Sequence, residues 1–166
     1  MVKIKTMILS LLIVTLGIGA AFYFFPTEEK KVKKQFHLLS EQVSKKRGES
    51  PLTLARKTRN LGSLFAEKCD FKTYLDSLSG SYTPEEISSY AARGRLQFTE
   101  LNLKFYDITI IFPEKEVAKV DLTARVKGRL TSGEDLDETH ELACVLKKIE
   151  NRWRFTDIEM VEVLKK

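Results

Sequence analysis

The sequence predicts an α+β protein in which three helices precede an antiparallel sheet, with one transmembrane helix in front of both. Three observations support this prediction. Residues 7–25 contain no charged side chain. Apolar residues recur every three or four positions in three segments between residues 28 and 95, which is the spacing of amphipathic helices. From residue 101 onward apolar and polar residues alternate, which is typical of half-buried strands.

The length and composition fit one folded domain behind an N-terminal segment. The chain has 166 residues, of which 43% are hydrophobic and 31% charged, so it is not a disordered protein. Between residues 26 and 69 there are 11 Lys or Arg against 5 Asp or Glu, whereas residues 70–166 hold 15 against 18. The basic part lacks interleaved exposed aromatic residues and follows an apolar run. It therefore favours anionic lipid head groups or a solvated helix face over nucleic acid.

The N-terminal apolar run predicts a membrane span. Met7 to Phe25 comprises 19 residues, and at about 1.5 Å per residue such a helix matches the thickness of a bilayer core. A cleaved signal peptide is the alternative, since Gly19 to Ala21 would suit a peptidase. The run continues through Phe22 to Phe25, however, which resembles an aromatic belt at a membrane interface. We predict an uncleaved anchor over residues 1–26 and one domain over residues 27–166.

The charges beside this run give opposing predictions of orientation. The four lysines between residues 30 and 34 outnumber Lys3 and Lys5, which favours a cytoplasmic domain. A short tail followed at once by an apolar run is instead the usual form of an export signal. We expect a single-pass protein of the bacterial inner membrane with its C-terminal domain in the periplasm.

The first helix of the domain is predicted to begin at Glu28, with Thr27 as its N-terminal cap. Its apolar stripe has spacings of four, three and four residues and comprises Val32, Phe36, Leu39 and Val43. Cations and a glycine, from Lys45 to Gly48, predict its end.

Two further helices are predicted from their caps. Ser50 and Pro51 begin the second, whose inward face comprises Leu54, Thr58, Leu61, Leu64 and Phe65. A short strand from Phe71 to Leu75 and a flexible segment follow. A capping box of Thr83 and Glu86 begins the third helix, whose apolar side holds Ile87, Tyr90, Ala91 and Gly94.

The sheet is predicted from four alternating stretches. The first begins with Leu101, Leu103 and Phe105, and its parity reverses at Ile108, which indicates a β-bulge near Tyr106 and Asp107. The others are Ala118 to Val126, Leu136 to Ile149 and Trp153 to Val163. Short turns separate them, so we predict a four-stranded antiparallel meander.

Two stretches carry a resemblance to a known superfamily. They are Leu64 to Asp70, at the junction of the second helix and the first strand, and the closing Asn151 to Ile158. With the order of elements, they make residues 28–164 similar to the nuclear transport factor two-like superfamily, also called ketosteroid-isomerase-like or SnoaL-like. The resemblance implies a cone-shaped, curved antiparallel sheet packed against three helices, with a pocket in many members.

The resemblance leaves the activity open. The isomerases of this group need a carboxylate on the first strand, but the corresponding Phe71 to Tyr74 offer none before Asp76. This departure counts against an isomerase. Members behind a single N-terminal span, such as the inner-membrane assembly factors of type IV secretion, use the cone for protein contacts. That architecture resembles the present chain more closely.

Few residues offer catalytic or metal-binding chemistry. His140 shares strand parity with Cys144, which predicts a half-buried imidazole, but about 13 Å of strand separates the two. His37 lies off the stripe of the first helix and is predicted to be solvated. The acidic stretch from Gly133 to Glu141 lacks the spacing of a calcium loop. The sequence therefore predicts no cofactor, no metal site and no assigned catalytic residue.

Four residues are the candidates for lining a pocket in such a cone: Tyr90, Arg93, Tyr106 and His140. Alternatively, Tyr90, Tyr106 and Trp153 fill a solid core, and Arg93 with Arg95 only complements a helix dipole. Cys69 and Cys144 could form one disulfide in an extracytoplasmic domain, or be small buried side chains.

These observations favour a membrane-anchored, extracytoplasmic binding or assembly module without catalytic activity. Its partner would be a protein or a small apolar ligand, and a homodimer through the sheet is compatible with this. The alternative is a lyase or isomerase that uses Asp107, Asp121 or His140 as a base. A deep pocket in which one of these meets a tyrosine would favour the enzyme, and a cone filled by Phe and Leu would favour the binding module.

Overall fold

The computed structural model describes residues 27–74 and 78–161. The compact unit that contains the sheet begins at Val32. The predicted anchor, Asp76 and the predicted strand end at Val163 lie outside the described residues. Among the residues described, no helix has the length and apolar character that a membrane crossing requires.

Helices and strands follow each other in the described part of the chain much as the sequence predicts. The helices are α1 (Glu28–Val43), α2 (Pro51–Gly62) and α3 (Pro84–Leu96). The strands are β1 (Phe65–Lys72), β2 (Gly80–Tyr82), β3 (Phe98–Glu114), β4 (Val117–Leu130), β5 (Asp135–Ile149) and β6 (Arg152–Val161). They form one curved sheet in the order β2-β1-β6-β5-β4-β3, in which β1 and β6 are parallel and the other neighbours antiparallel.

Helix α1 begins as predicted but ends earlier. The Lys30 N–H donates to Thr27 Oγ1 at 3.3 Å, which confirms Thr27 as the cap. Val32, Phe36 and Leu39 of the predicted stripe are buried. The predicted end between Lys45 and Gly48 is wrong. The helix stops at Val43 because both backbone groups of Lys45 pair with Leu101 on β3.

The caps of α2 and α3 are confirmed, whereas the segment between these helices differs from the prediction. Ser50 accepts a hydrogen bond from the Thr53 N–H, and Thr83 and Glu86 form the reciprocal capping box. Phe65 belongs to β1 and not to α2, because it pairs in parallel with Phe155 on β6. The predicted flexible segment contains the short strand β2, which pairs with β1.

The predicted meander is confirmed as strands β3 to β6. The predicted bulge is confirmed as well, since the β3–β4 register shifts between Tyr106 and Thr109 and Asp107 has a φ of 53°. Because the bulge changes the parity of β3, Phe105 before it and Ile108 after it both pack against the core.

Candidate ligand-binding cavity

The inner face of the sheet and the helices enclose a cavity of about 450 Å³. Its sheet wall includes Leu103 and Phe105 of β3, Ala124 and Val126 of β4, Leu142 of β5 and Ile158 of β6. Helix α1 contributes Phe36, Leu39 and Val43, and α3 contributes Ile87, Tyr90 and Ala91. This volume lies in the range typical of small-molecule sites.

Small side chains leave this space open. Ala124 on β4 lies opposite Phe105 on β3 and His140 on β5. Cys144 on β5 and Ala91 on α3 also line the cavity with short side chains. Larger aliphatic residues at these three positions would occupy part of the volume. They would bring the region closer to the usual packing density of a protein interior.

The lining is almost entirely apolar. Its polar side chains among the described residues are Thr73, Tyr82, Tyr90 and His140, with the weakly polar thiol of Cys144. No Asp, Glu, Lys or Arg of residues 27–74 or 78–161 lines the cavity. An ionised group would therefore enter without an opposite charge from the described wall, which is costly.

Aromatic rings surround the mouth, where Leu78 and Tyr90 are 50% and 53% exposed. The Tyr82 ring lies 5.7 Å from Phe71 and 5.5 Å from Tyr90, in both cases edge to face. The Tyr82 hydroxyl donates to the Leu78 carbonyl oxygen at 3.1 Å. Ring contacts and the hydrogen bond to the Leu78 carbonyl oxygen thus fix the position of Tyr82 at the mouth.

His140 is half-buried, as strand parity predicts, with 27% of its side chain exposed. Its Nε2 lies 3.1 Å from Glu138 Oε2, and its ring lies 6.2 Å from that of Tyr74. The Tyr74 hydroxyl donates to the Val161 carbonyl oxygen at 3.4 Å. The His140 ring therefore borders the apolar cavity and also contacts the Glu138 carboxylate, which does not line the cavity.

The structure brings two of the four predicted pocket residues to the cavity, Tyr90 and His140. Arg93 lies with its guanidinium carbon 5.1 Å from the centre of the Tyr90 ring and donates to Ser89 Oγ, outside the lining. Tyr106 lies on the opposite face of the sheet, in a separate depression with Lys104 and Arg125.

Only one of the three predicted bases lines the cavity, and it is His140. Asp107 is exposed in the bulge, where its carboxylate accepts from Thr123 Oγ1 at 3.5 Å. Asp121 is exposed on the outer face of β4, beside Lys119. Trp153 is buried in the core outside the cavity.

A buried ion cluster of Glu49, Lys57 and Arg95 holds the end of α3, and we call it the Glu49 cluster. Arg95 is 2% exposed and donates through Nη2 to Glu49 and to the Ser44 carbonyl oxygen. Lys57 Nζ lies 2.9 Å from the same carboxylate. Burial lowers the pKa of Arg95, although the negative charge of Glu49 opposes that shift.

Sequence reasoning missed this cluster. It placed Arg95 among the cations at a helix end, whose presence the helix dipole alone would explain. Its partner Glu49 is 46 residues away in the α1–α2 connection, and no local spacing links the two. Only the tertiary fold brings them together.

Both cysteines are free and buried, so the predicted alternative of a disulfide is not present. Burial raises the pKa of each thiol to about 12, with smaller contributions from neighbouring acidic groups. A thiol with such a pKa is almost fully protonated at neutral pH, so neither cysteine suits nucleophilic catalysis.

The sheet order and the three helices define the class of this domain, which is the cone of the nuclear transport factor two-like fold. No protein-family profile and no curated protein matches the sequence. Solved structures share its fold, and the similarity rests on architecture rather than on sequence.

Three of these structures show the breadth of the fold. The chain is similar to a putative scytalone dehydratase from Novosphingobium aromaticivorans DSM 12444, with 16% identity, a TM-score of 0.65, and coverage of 82% of this chain and 85% of that chain. It is also similar to the hexachlorocyclohexane dehydrochlorinase LinA-type3 from Novosphingobium barchaimii LL02 (9%, TM-score 0.64, coverage 81% and 85%). A third is a putative calcium/calmodulin dependent protein kinase II association domain from Xanthomonas campestris (11%, TM-score 0.59, coverage 85% and 91%). These identities establish the fold alone.

Proposed function

We propose that this protein is a binding module that holds a small apolar ligand in the cavity between its sheet and its helices. The observation that carries the proposal is the composition of the wall, which is aliphatic and aromatic on every described element that contributes to it. Such a wall binds through burial of apolar surface, at about 25 cal/mol per Å². The ionisable side chains of the described lining are those of Tyr82, Tyr90, His140 and Cys144, and no hydrogen bond joins any two of these four.

The proposal includes the N-terminal anchor and a domain outside the cytoplasm. The uncharged run over residues 7–25 supports the anchor, and its position behind a short basic tail supports export. Carbonate extraction of membranes should leave the full chain in the pellet. A reporter enzyme fused after Lys166 should be active only in the periplasm. A chain released by carbonate would contradict the anchor.

The ligand itself can be sought in the purified protein. The full chain, purified from its native host, should yield a co-purifying apolar molecule by organic extraction and mass spectrometry. The matched control is Ala124→Phe, which places a ring in the cavity from a position that is 5% exposed. The molecule should be absent from this variant. Equal recovery from both proteins would contradict binding in the cavity.

A lyase is the second candidate, because His140 lines the cavity and its Nε2 faces the Glu138 carboxylate. In this alternative His140 removes a proton from a ligand carbon, the C–H electron pair forms a double bond, and the leaving group departs with its own bonding pair. The shared fold with proteins named as a dehydratase and a dehydrochlorinase supports testing it. Turnover of the co-purified molecule that disappears in His140→Gln would favour the lyase.

A further inference from the structure

The polar groups of the cavity point to the chemical class of its ligand, an inference that rests on the proposed function. We propose that the ligand is a neutral apolar molecule with a hydroxyl group, such as a phenol or an alcohol. That hydroxyl donates a hydrogen bond to Nδ1 of His140, while the apolar body lies against the sheet.

The first step concerns the tautomer of His140. Glu138 Oε2 lies 3.1 Å from Nε2, and an ionised carboxylate can only accept a hydrogen bond. The proton of the neutral imidazole therefore resides on Nε2, and Nδ1 carries the lone pair. Nδ1 has no hydrogen-bond partner among the described residues, although the ring lines the cavity. A ligand hydroxyl that donates to this free acceptor adds the net free energy of one hydrogen bond to the affinity.

The second step excludes an anionic ligand. The described lining contributes no Lys or Arg to compensate a carboxylate or phosphate. Arg93, the cation next to the mouth, stacks on Tyr90 and donates to Ser89 rather than lining the cavity. The Glu138 carboxylate behind His140 would also repel a negative charge. A neutral hydroxyl group needs no opposite charge from the lining, and the Glu138 carboxylate does not repel it.

The third step concerns size. A cavity of about 450 Å³ has room for roughly 15 non-hydrogen atoms, taking about 30 Å³ for each as for liquid water. Two aromatic rings and one head group fit that volume. The rings of Phe36, Phe65 and Phe71 in the wall suit a flat aromatic body.

The test compares three probes with the same body and different heads: 4-phenylphenol, biphenyl and biphenyl-4-carboxylate. Calorimetry on the full chain measures the affinity of each, and titration of Ala124→Phe under the same conditions subtracts partition into detergent. We expect 4-phenylphenol to bind about fivefold to tenfold more tightly than biphenyl, which is the usual effect of one hydrogen bond. The carboxylate should bind most weakly.

Variants of His140 assign that difference to the imidazole. His140→Phe and His140→Leu should bind biphenyl within about threefold of the parent and lose the preference for 4-phenylphenol. A preference that survives both variants, or a parent that does not distinguish the phenol from biphenyl, would overturn the hydroxyl inference and leave the binding module intact. Failure of all three probes to bind in a manner sensitive to Ala124→Phe would instead count against the proposed function and the inference together.

Discussion

The inner face of the sheet has two halves that differ in packing, although the same strands build both. On β4, Ala118, Val120 and Leu122 are at most 2% exposed, whereas Ala124 and Val126 on the same face line the cavity. On β5, Leu146 is fully buried, while Leu142 and Cys144 line the cavity. We call these the packed half and the hollow half. One strand thus passes from a solid core into the wall of the cavity within a few residues.

The two halves are stabilised by different interactions. The packed half holds Trp153 and Phe155, and the Phe155 ring lies 5.1 Å from Phe36 of α1. The hollow half is closed by α3, whose last turn is fixed by the Glu49 cluster. Lys45 Nζ adds hydrogen bonds to the carbonyl oxygens of Arg95 and Phe98 at 3.1 and 2.6 Å. Apolar packing therefore dominates one half, and buried polar contacts position the wall of the other.

The fold keeps an open space beside a closely packed core. In the packed half Val120, Leu122 and Leu146 are at most 2% exposed, so their burial there contributes nearly its full hydrophobic stabilisation. The hollow half needs only rigid walls, which side-chain packing and ion pairs provide.

The largest effect is expected from Glu49→Ala. This change leaves Arg95 and Lys57 without their carboxylate, and loss of one partner of a buried pair costs about 3–5 kcal/mol. Urea denaturation measures the loss in the free energy of unfolding. The control Glu100→Ala removes an exposed carboxylate and should cost less than about 0.5 kcal/mol. Equal losses for the two variants would show that the Glu49 cluster does not fix the wall.

A Leu→Ala pair on β5 compares the halves directly. Leu146→Ala removes a fully buried side chain from the packed half and should cost about 3–4 kcal/mol. Leu142→Ala removes a half-buried side chain that already borders the cavity, so a cost of about 1–2 kcal/mol is expected. The same denaturation experiment measures both. If Leu142→Ala proved as destabilising as Leu146→Ala, the hollow half would be as tightly packed as the other.

The inward and outward faces of the strands could be predicted from the sequence, but the division of the inner face into a packed and a hollow half could not. The alternation from Ala118 to Val126 predicts one inward face, and the parity of His140 predicts its half-burial, because both depend only on the period of a strand. The caps at Ser50 and Thr83 are similarly local. None of these patterns distinguishes Ala118, which is packed, from Ala124, which borders empty space.

The errors of prediction have one physical cause, which is pairing between distant residues. Lys45 leaves the helical pattern because Leu101 is a better backbone partner, and Phe65 joins β1 because Phe155 lies beside it. Arg95 is buried because Glu49 is within reach. Tyr106 lies on the outer face because of the register of β3 against β4. The bulge next to Tyr106 makes that register hard to assign from the sequence.

An Ala→Leu pair on β4 tests the empty space with smaller effects. Ala118→Leu inserts three carbon atoms into the packed half and should cost about 1–3 kcal/mol through overpacking. Ala124→Leu points into the cavity and should be neutral or stabilise the protein by up to about 1 kcal/mol. Opposite signs in thermal unfolding would support the division. Destabilisation of similar size at both positions would contradict it.

The rates at which the two cysteines are modified measure how easily small molecules reach each half. This experiment needs no destabilising substitution. Burial raises the pKa of both thiols to about 12, so at pH 8 roughly one thiol in ten thousand is ionised. Cys144, which lines the cavity, should react with a small neutral reagent such as methyl methanethiosulfonate about a thousandfold more slowly than in urea, where the ordinary thiol pKa applies. The rate should rise about tenfold per pH unit, because the thiolate reacts and its fraction grows with pH below the pKa.

The two thiols should differ in their accessibility to the reagent. Cys144 lines the cavity, whereas Cys69 is fully buried outside it, so peptide mapping should find Cys144 modified first. Ala124→Phe should slow the modification of Cys144 and leave that of Cys69 unchanged, because the added ring occupies the route to one thiol only. Equal rates at both cysteines in the parent would mean that reagents enter through global opening of the fold, and the hollow half would then not be open to small molecules.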